Sequence, residues 1–309
     1  MSKKGWAIGI SITAVLFLFA CVGLAALLAL VSAGSSSVPL GRKAVAVIHI
    51  SGVIASSPQS GLLSATATAT PENLIVQLRR ADNDNNVAAV LLRVDSPGGS
   101  AAASQEIFKE VSRMKKPVMV SIADIGASGA YYISCGADEI MASPASSVGS
   151  IGVIIQVANL EELYKKLGIQ YVTIKQGKYK DMGSGDRALT DEERKLLEQE
   201  TEEVYDQFIT DVASSRNIPE ETVRELATGQ TWNGSKAKDL ALIDSIGNYR
   251  DAVKRAGQLG KIEGEPSVIS YDQTSIWDIL AGVSSAGALS DLTKLLGLLN
   301  GTQSMPVSR

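Results

Sequence analysis

A serine in a turn of small residues, between a strand and a helix, can act as a nucleophile. Gly126-Ala-Ser-Gly129 offers one, with the β-rich run Val118-Met-Val-Ser-Ile-Ala123 before it and an apolar helical pattern after it. Small neighbours let a substrate approach. The first N–H groups of the helix have no partner inside it and can bind a developing oxyanion. Ser128 is therefore a candidate nucleophile for acyl transfer. The G-x-S-x-G elbow of α/β-hydrolases does not fit, because Ala130 stands where its last glycine belongs. The plainer alternative is a helix start capped by Ser128.

A serine nucleophile needs a base. His49, the only histidine, lies in the apolar run Val45-Ala-Val-Ile-His-Ile50, where it reads as a packed or hydrogen-bonded strand residue and not a catalyst. A neutral lysine can serve instead. Free lysine has a pKa near 10.4, so a base working near pH 7 needs a shift of about three units, roughly 4 kcal/mol. Burial among apolar groups supplies shifts of that size. Lys175, Lys178 and Lys180 cluster where an apolar run meets a glycine turn. Their spacing does not choose among them, and a solvated cluster is the ordinary alternative.

A second strand-and-turn stands earlier. Val87-Ala-Ala-Val-Leu-Leu-Arg-Val94 reads as a buried strand and ends in Asp95-Ser-Pro-Gly-Gly-Ser100, before a helical pattern. Strand, Ser-Pro-Gly-Gly, helix, then strand, Gly-Ala-Ser-Gly, helix resembles the ClpP/crotonase superfamily. Within it, the chain is similar to the signal peptide peptidase A family of bacterial membranes. Further matching pieces are Ser147-Val-Gly-Ser-Ile-Gly-Val153, Gly177-Lys-Tyr-Lys-Asp-Met-Gly-Ser184 and Gly229-Gln-Thr-Trp-Asn-Gly234. One departure is Ala241-Leu-Ile-Asp244, where the family usually has glycine first.

The resemblance implies an α/β fold, a ClpP/crotonase-like spiral of ββα units. It implies a serine endopeptidase with a Ser/Lys dyad, Ser128 as nucleophile and Lys180 as base, that degrades cleaved signal peptides and other short peptides. Ser150 matches a hydroxyl that orients the lysine amine. The backbone N–H groups of Gly99 and Gly129 match the oxyanion hole. No cofactor or metal is implied. The expected partners are peptides, the membrane and further copies of the chain in a homo-oligomer, a ring or dome and octameric by resemblance. Two other readings are an inactive membrane scaffold of the same fold and a crotonase-like acyl-CoA enzyme.

The 309 residues carry a net charge of −4, with 20% charged, which describes an ordinary soluble surface and no nucleic-acid partner. The two cysteines are Cys21, in an apolar run, and Cys135, in a core pattern, so no internal disulfide is expected. Residues 6–31 are uncharged and almost wholly apolar. As a helix their roughly 26 residues span nearly 40 Å, enough for a hydrocarbon core of roughly 30 Å. They read as an uncleaved anchor, too long for a typical signal-peptide apolar region. Lys3 and Lys4 put the short segment 1–5 in the cytoplasm and the body outside it, a single-pass protein of a bacterial cell membrane.

Residues 32–42 read as a linker, 43–260 as the peptidase domain, and 261–309 as amphipathic helices with a tail that occupies a substrate groove. Within 43–260, helix and strand patterns alternate, as in an α/β fold with parallel strands. Residues 152–158 and 170–174 read as short strands. Thr190-Asp-Glu-Glu193 reads as a capping box that opens a long helix. Asp82-Asn-Asp-Asn-Asn86 mimics a calcium loop, without its glycine and closing glutamate, and reads as a turn. Ser112-Arg-Met-Lys115 matches S-x-x-K by coincidence, and Asp95 and Asp181 read as turn or ion-pair residues.

Overall fold

A computed structural model describes residues 43–57 and 68–271. The expected anchor, linker and tail groove lie outside the described residues. In chain order the elements are β1 (Ala44–Ile54), β2 (Thr68–Ala69), α1 (Pro71–Asn83), β3 (Val87–Gly99), α2 (Ala101–Val111), β4 (Val118–Ala127), α3 (Gly129–Cys135), β5 (Glu139–Ala142) and β6 (Ser147–Gly149). There follow α4 (Glu161–Lys166), α5 (Asp191–Arg216), α6 (Glu220–Leu226), β7 (Thr231–Asn233), α7 (Gly234–Asp239), β8 (Ser245–Ile246), α8 (Tyr249–Leu259) and β9 (Ser267–Ser270).

The strands form one mixed sheet, ordered β2-β1-β3-β4-β5-β8, with β9 beside β1. Every pairing on that path is parallel. β6 continues beside the end of β4 and takes β7 as its antiparallel partner. This is the mixed α/β architecture that the alternating patterns predict.

The central strands read as unbroken apolar runs because helices cover both faces of the sheet. Ala46, Ile48, Ile50, Val90, Leu92 and Val94 pack in the cluster that holds Leu74 and Leu78 of α1 and Ile107 and Phe108 of α2. Val45, Val47, Ala89 and Leu91 pack in the cluster of Ala252 and Ala256 on α8. His49 alternates with Val45 and Val47 along β1, where the α8 cover has ended. It is exposed there, so it is not packed in the core. In the sheet it stands beside Arg93, whose guanidinium lies 5.5 Å from the Tyr249 ring centre.

Residues 152–158 and 170–174 form no strand, against expectation. Their β-branched and aromatic residues have the propensity, but a strand also needs a ladder partner and a face to bury. After Gly149 the chain leaves the sheet, and Ile154, Val172 and Ile174 are left 80%, 86% and 93% exposed. The capping box at Thr190 and Glu193 forms as expected and opens α5, whose buried apolar residues Phe208, Ile209 and Val212 lie in its second half.

The remaining sequence oddities have structural answers. Asp82 accepts the N–H groups of Lys115 and Lys116, both at 3.1 Å, and Asp84 accepts that of Asn86 at 2.8 Å. The acidic run is a turn hub. Ser112 donates back to the Phe108 carbonyl at 2.9 Å at the end of α2. Ala241 has φ +58°, the left-handed region where a side chain costs about 1–2 kcal/mol and glycine nothing comparable. Alanine is accommodated there, carrying a strain that glycine would relieve.

Candidate active site

Ser128 occupies the single residue between β4 and α3, with φ 51° and ψ −124°. A non-glycine residue there is strained, and such strain, about 1–3 kcal/mol, gathers at functional sites. Ser128 is not a helix cap in the usual sense, since its side chain accepts no cap hydrogen bond. Its own N–H donates to the Gly149 carbonyl at 2.7 Å, so β6 holds the turn in place. Gly129 begins α3, which leaves its N–H without a partner inside the helix.

The end of β3 presses on this turn. Gly98 has φ +93°, and a Cβ there would lie 2.7 Å from the Gly129 nitrogen and 2.9 Å from the Ser128 Cβ. A Cβ on Gly99 would lie 2.0 Å from the Ile54 carbonyl oxygen, and one on Gly129 would lie 2.2 Å from the Ser104 hydroxyl. No side chain fits at any of the three. The buried Ser96 hydroxyl accepts the Gly98 N–H at 3.1 Å and fixes the approach. A Cβ on Gly129 would also come within 3.5 Å of the Gly99 nitrogen, so the two expected oxyanion donors are close neighbours.

Ser150 follows β6 directly. It too is left-handed, with φ 51°. Its N–H donates to the Gln230 carbonyl at 2.9 Å and its hydroxyl to the Gly229 carbonyl at 3.0 Å. Ser128, Ser150 and Gly99 line one groove of about 860 Å³, walled by Val153, Ile154 and Tyr205. His49 and the three lysines are not among its lining residues.

The three lysines differ in their partners. Lys175 is paired with Asp181. Lys178 is paired with Glu192, whose carboxylate holds the amine above the usual lysine range. Lys180 is exposed, and its amine makes no hydrogen bond or ion pair among the described residues. Sequence reasoning missed Arg187, which grips Asp181 and the buried Glu193 together. Asp95 accepts the Ile125 N–H at 3.3 Å, a turn role as expected. Cys135 is buried in α3, and that burial pushes its thiol up to about 12, so it is no rival nucleophile.

Residues 110–263 match peptidase family S49, and residues 46–155 match the Clp protease family. A protein of Enterococcus faecium, provisionally named signal peptide peptidase SppA, is 37% identical over 233 residues, 74% of this chain and 67% of that protein. This chain belongs to peptidase family S49. Another relative, a protein of Synechocystis provisionally named a protease, is 37% identical over 233 residues, 75% of this chain and 79% of its own length. A chloroplast serine protease of Arabidopsis thaliana, named SPPA, is 36% identical over 268 residues. This S49 chain spans 39% of that longer protein. The Clp protease match covers β1 to just beyond β6, and thus both glycine-rich turns and Ser128.

Proposed function

We propose that this chain is a membrane-anchored serine endopeptidase whose Ser128 and Lys180 form the dyad that degrades cleaved signal peptides. The observation that carries it is Ser128 itself, held at a strained φ beside Gly99 and the first N–H of α3, at the wall of an open groove. Serine attacks the peptide carbonyl, and the lysine amine takes its proton and returns it to the leaving amine. The Gly99 and Gly129 N–H groups stabilise the tetrahedral oxyanion. Ser150 orients the amine. Its hydroxyl proton goes to Gly229, which leaves its oxygen lone pairs to accept from an ammonium.

Of the three lysines, the one with no carboxylate partner suits a base, because an ion pair would hold it protonated. A lysine base must also be buried, and Lys180 is exposed in one protomer. Burial from a second copy meets that need. The exposed apolar side chains of residues 152–180, Ile154, Val172 and Ile174 among them, supply the surface for it. The double substitution Val172→Asp with Ile174→Asp is expected to give a folded monomer with little peptidase activity. Sedimentation beside a peptide assay would check this. An active monomer, or an intact oligomer, would sink the assembly.

The apolar run 6–31 anchors the chain, with the peptidase domain outside the cytoplasm. Among the described residues no helix is long and apolar enough to cross a membrane. Protease added to intact spheroplasts should reach the domain, and digestion only after lysis would reverse the orientation. The peptidase reading as a whole is tested by a serine-reactive probe followed by peptide mapping. Label on the peptide containing Ser128 supports it, and label elsewhere or none opposes it. Retention on a CoA matrix would favour an acyl-CoA enzyme instead.

A further inference from the structure

Residues 171–180 are all exposed, and neither helix nor strand holds them. Immediately after them stands a charge network with every donor used. Arg187 gives its Nε to Asp181 at 3.1 Å and its Nη2 to Asp181 at 2.8 Å and Glu193 at 2.6 Å. Its Nη1 goes to Glu193 at 2.8 Å and to the Ala188 carbonyl at 3.0 Å. That accounts for all five guanidinium N–H groups. Glu193 also accepts the Thr190 N–H at 2.9 Å, closing the capping box of α5. The guanidinium holds the Asp181 carboxyl well below the usual range and brings Glu193 down to about 2. Two forked pairs on one planar group fix both carboxylates in direction as well as distance.

Asp181 is the chain neighbour of Lys180. The other ties of the Lys180 loop come from flexible side chains: Lys175 donates to Asp181 and to the Lys178 carbonyl, and Lys178 and Tyr179 donate to the exposed Glu192 at the start of α5, while Gly177 and Gly183 have φ +100° and +79°. We propose that Arg187 is the positioning residue for the Lys180 loop, fixing it through Asp181 and Glu193 to the start of α5, the 26-residue helix. This rests on the Ser128/Lys180 reading above. A lysine has a long flexible stem, so its amine is delivered reproducibly only from a fixed backbone. A misplacement of about 1 Å can cost about 10²-fold in rate. The residues that Arg187 binds all lie within 181–193, outside the sheet and its helix packing, so its loss should spare the core.

The test is Arg187→Ala in the full chain. Expected are a fall in kcat of about 30- to 100-fold, KM within about threefold and an unchanged melting transition. The acidic limb of the kcat–pH profile should move to higher pH as the loosened amine regains water. Arg187→Lys keeps the charge but not the fork, and should rescue less than about a tenth of the loss. If Arg187→Ala does not fold, Asp181→Asn, which keeps the side-chain shape, carries the same expectation. An unchanged kcat and pH profile in the folded variant overturns the proposal, as does full rescue by Arg187→Lys. If Lys180→Ala is itself as active as wild type, the base assignment fails and the proposal with it. If Lys180→Ala is inactive while folded Arg187→Ala is active, only the role of Arg187 fails.

Discussion

Ser128→Ala is expected to lower kcat by at least about 10⁴-fold and to leave the melting transition within about 0.5 kcal/mol of wild type. The activity loss follows from removing the hydroxyl proposed as the nucleophile. Ser128 lines the groove with Gly99, and the buried Cys135, its thiol pushed up to about 12, cannot replace it. The unchanged stability follows from the backbone. Alanine keeps a Cβ at φ 51°, so the strain stays, and the hydroxyl makes no cap hydrogen bond that could be lost. The bond from the Ser128 N–H to Gly149 belongs to the main chain and survives. Hydrolysis of a peptide ester, measured beside thermal unfolding, checks both halves. Retained turnover would remove Ser128 from the mechanism. A large drop in stability would show that it serves the fold.

Lys180→Ala should lower kcat by about 10³-fold or more, while Lys178→Ala stays within about threefold of wild type. The contrast rests on partners. Lys178 is held by Glu192 and stays protonated, a surface pair worth little to stability. Lys180 has no such carboxylate. A lysine base works only in its neutral form, so the rate should rise with pH as the amine loses its proton. A flat profile from about pH 5 to 9 would count against any lysine base. Equal activity in Lys180→Ala and wild type would refute the dyad outright. The signs differ for the carboxylates beside it. Glu193, held down to about 2, contributes its stabilisation above the ordinary carboxylate range and loses it as pH falls towards 2. The Lys180 loop should therefore stay intact across the pH range in which the amine titrates.

What could be read in the chain divides along a physical line. The two turns were legible because glycine beside serine after a buried strand is a local signal, and the structure places both at one groove. The Thr190 capping box was legible for the same reason, since its parts lie three residues apart. The exposure of His49 was not legible, because a sheet covered on both faces gives an unbroken apolar run, and the run does not show where one cover stops. Residues 152–158 and 170–174 were misread because propensity says nothing about the missing ladder partner. Arg187 gave no signal at all. Its partners lie six residues away on either side, in a polar stretch with no periodicity.

The two serines of the groove share a further property with consequences for drift. Ser128 and Ser150 both hold left-handed backbone, side by side at the same end of the parallel pairing between β4 and β6. At each, glycine would relieve about 1–2 kcal/mol of strain, less the extra freedom it gives the unfolded chain. Mutation toward stability and selection for turnover thus pull in opposite directions at both positions. A lineage released from the need to cleave peptides should accumulate glycine at 128 and 150 early, while Gly98, Gly99 and Gly129, where no Cβ fits, stay fixed under either regime. Library selection for folding alone, read by sequencing, would expose this asymmetry. Serine retained at 128 without any demand for activity would mean that the turn itself requires it.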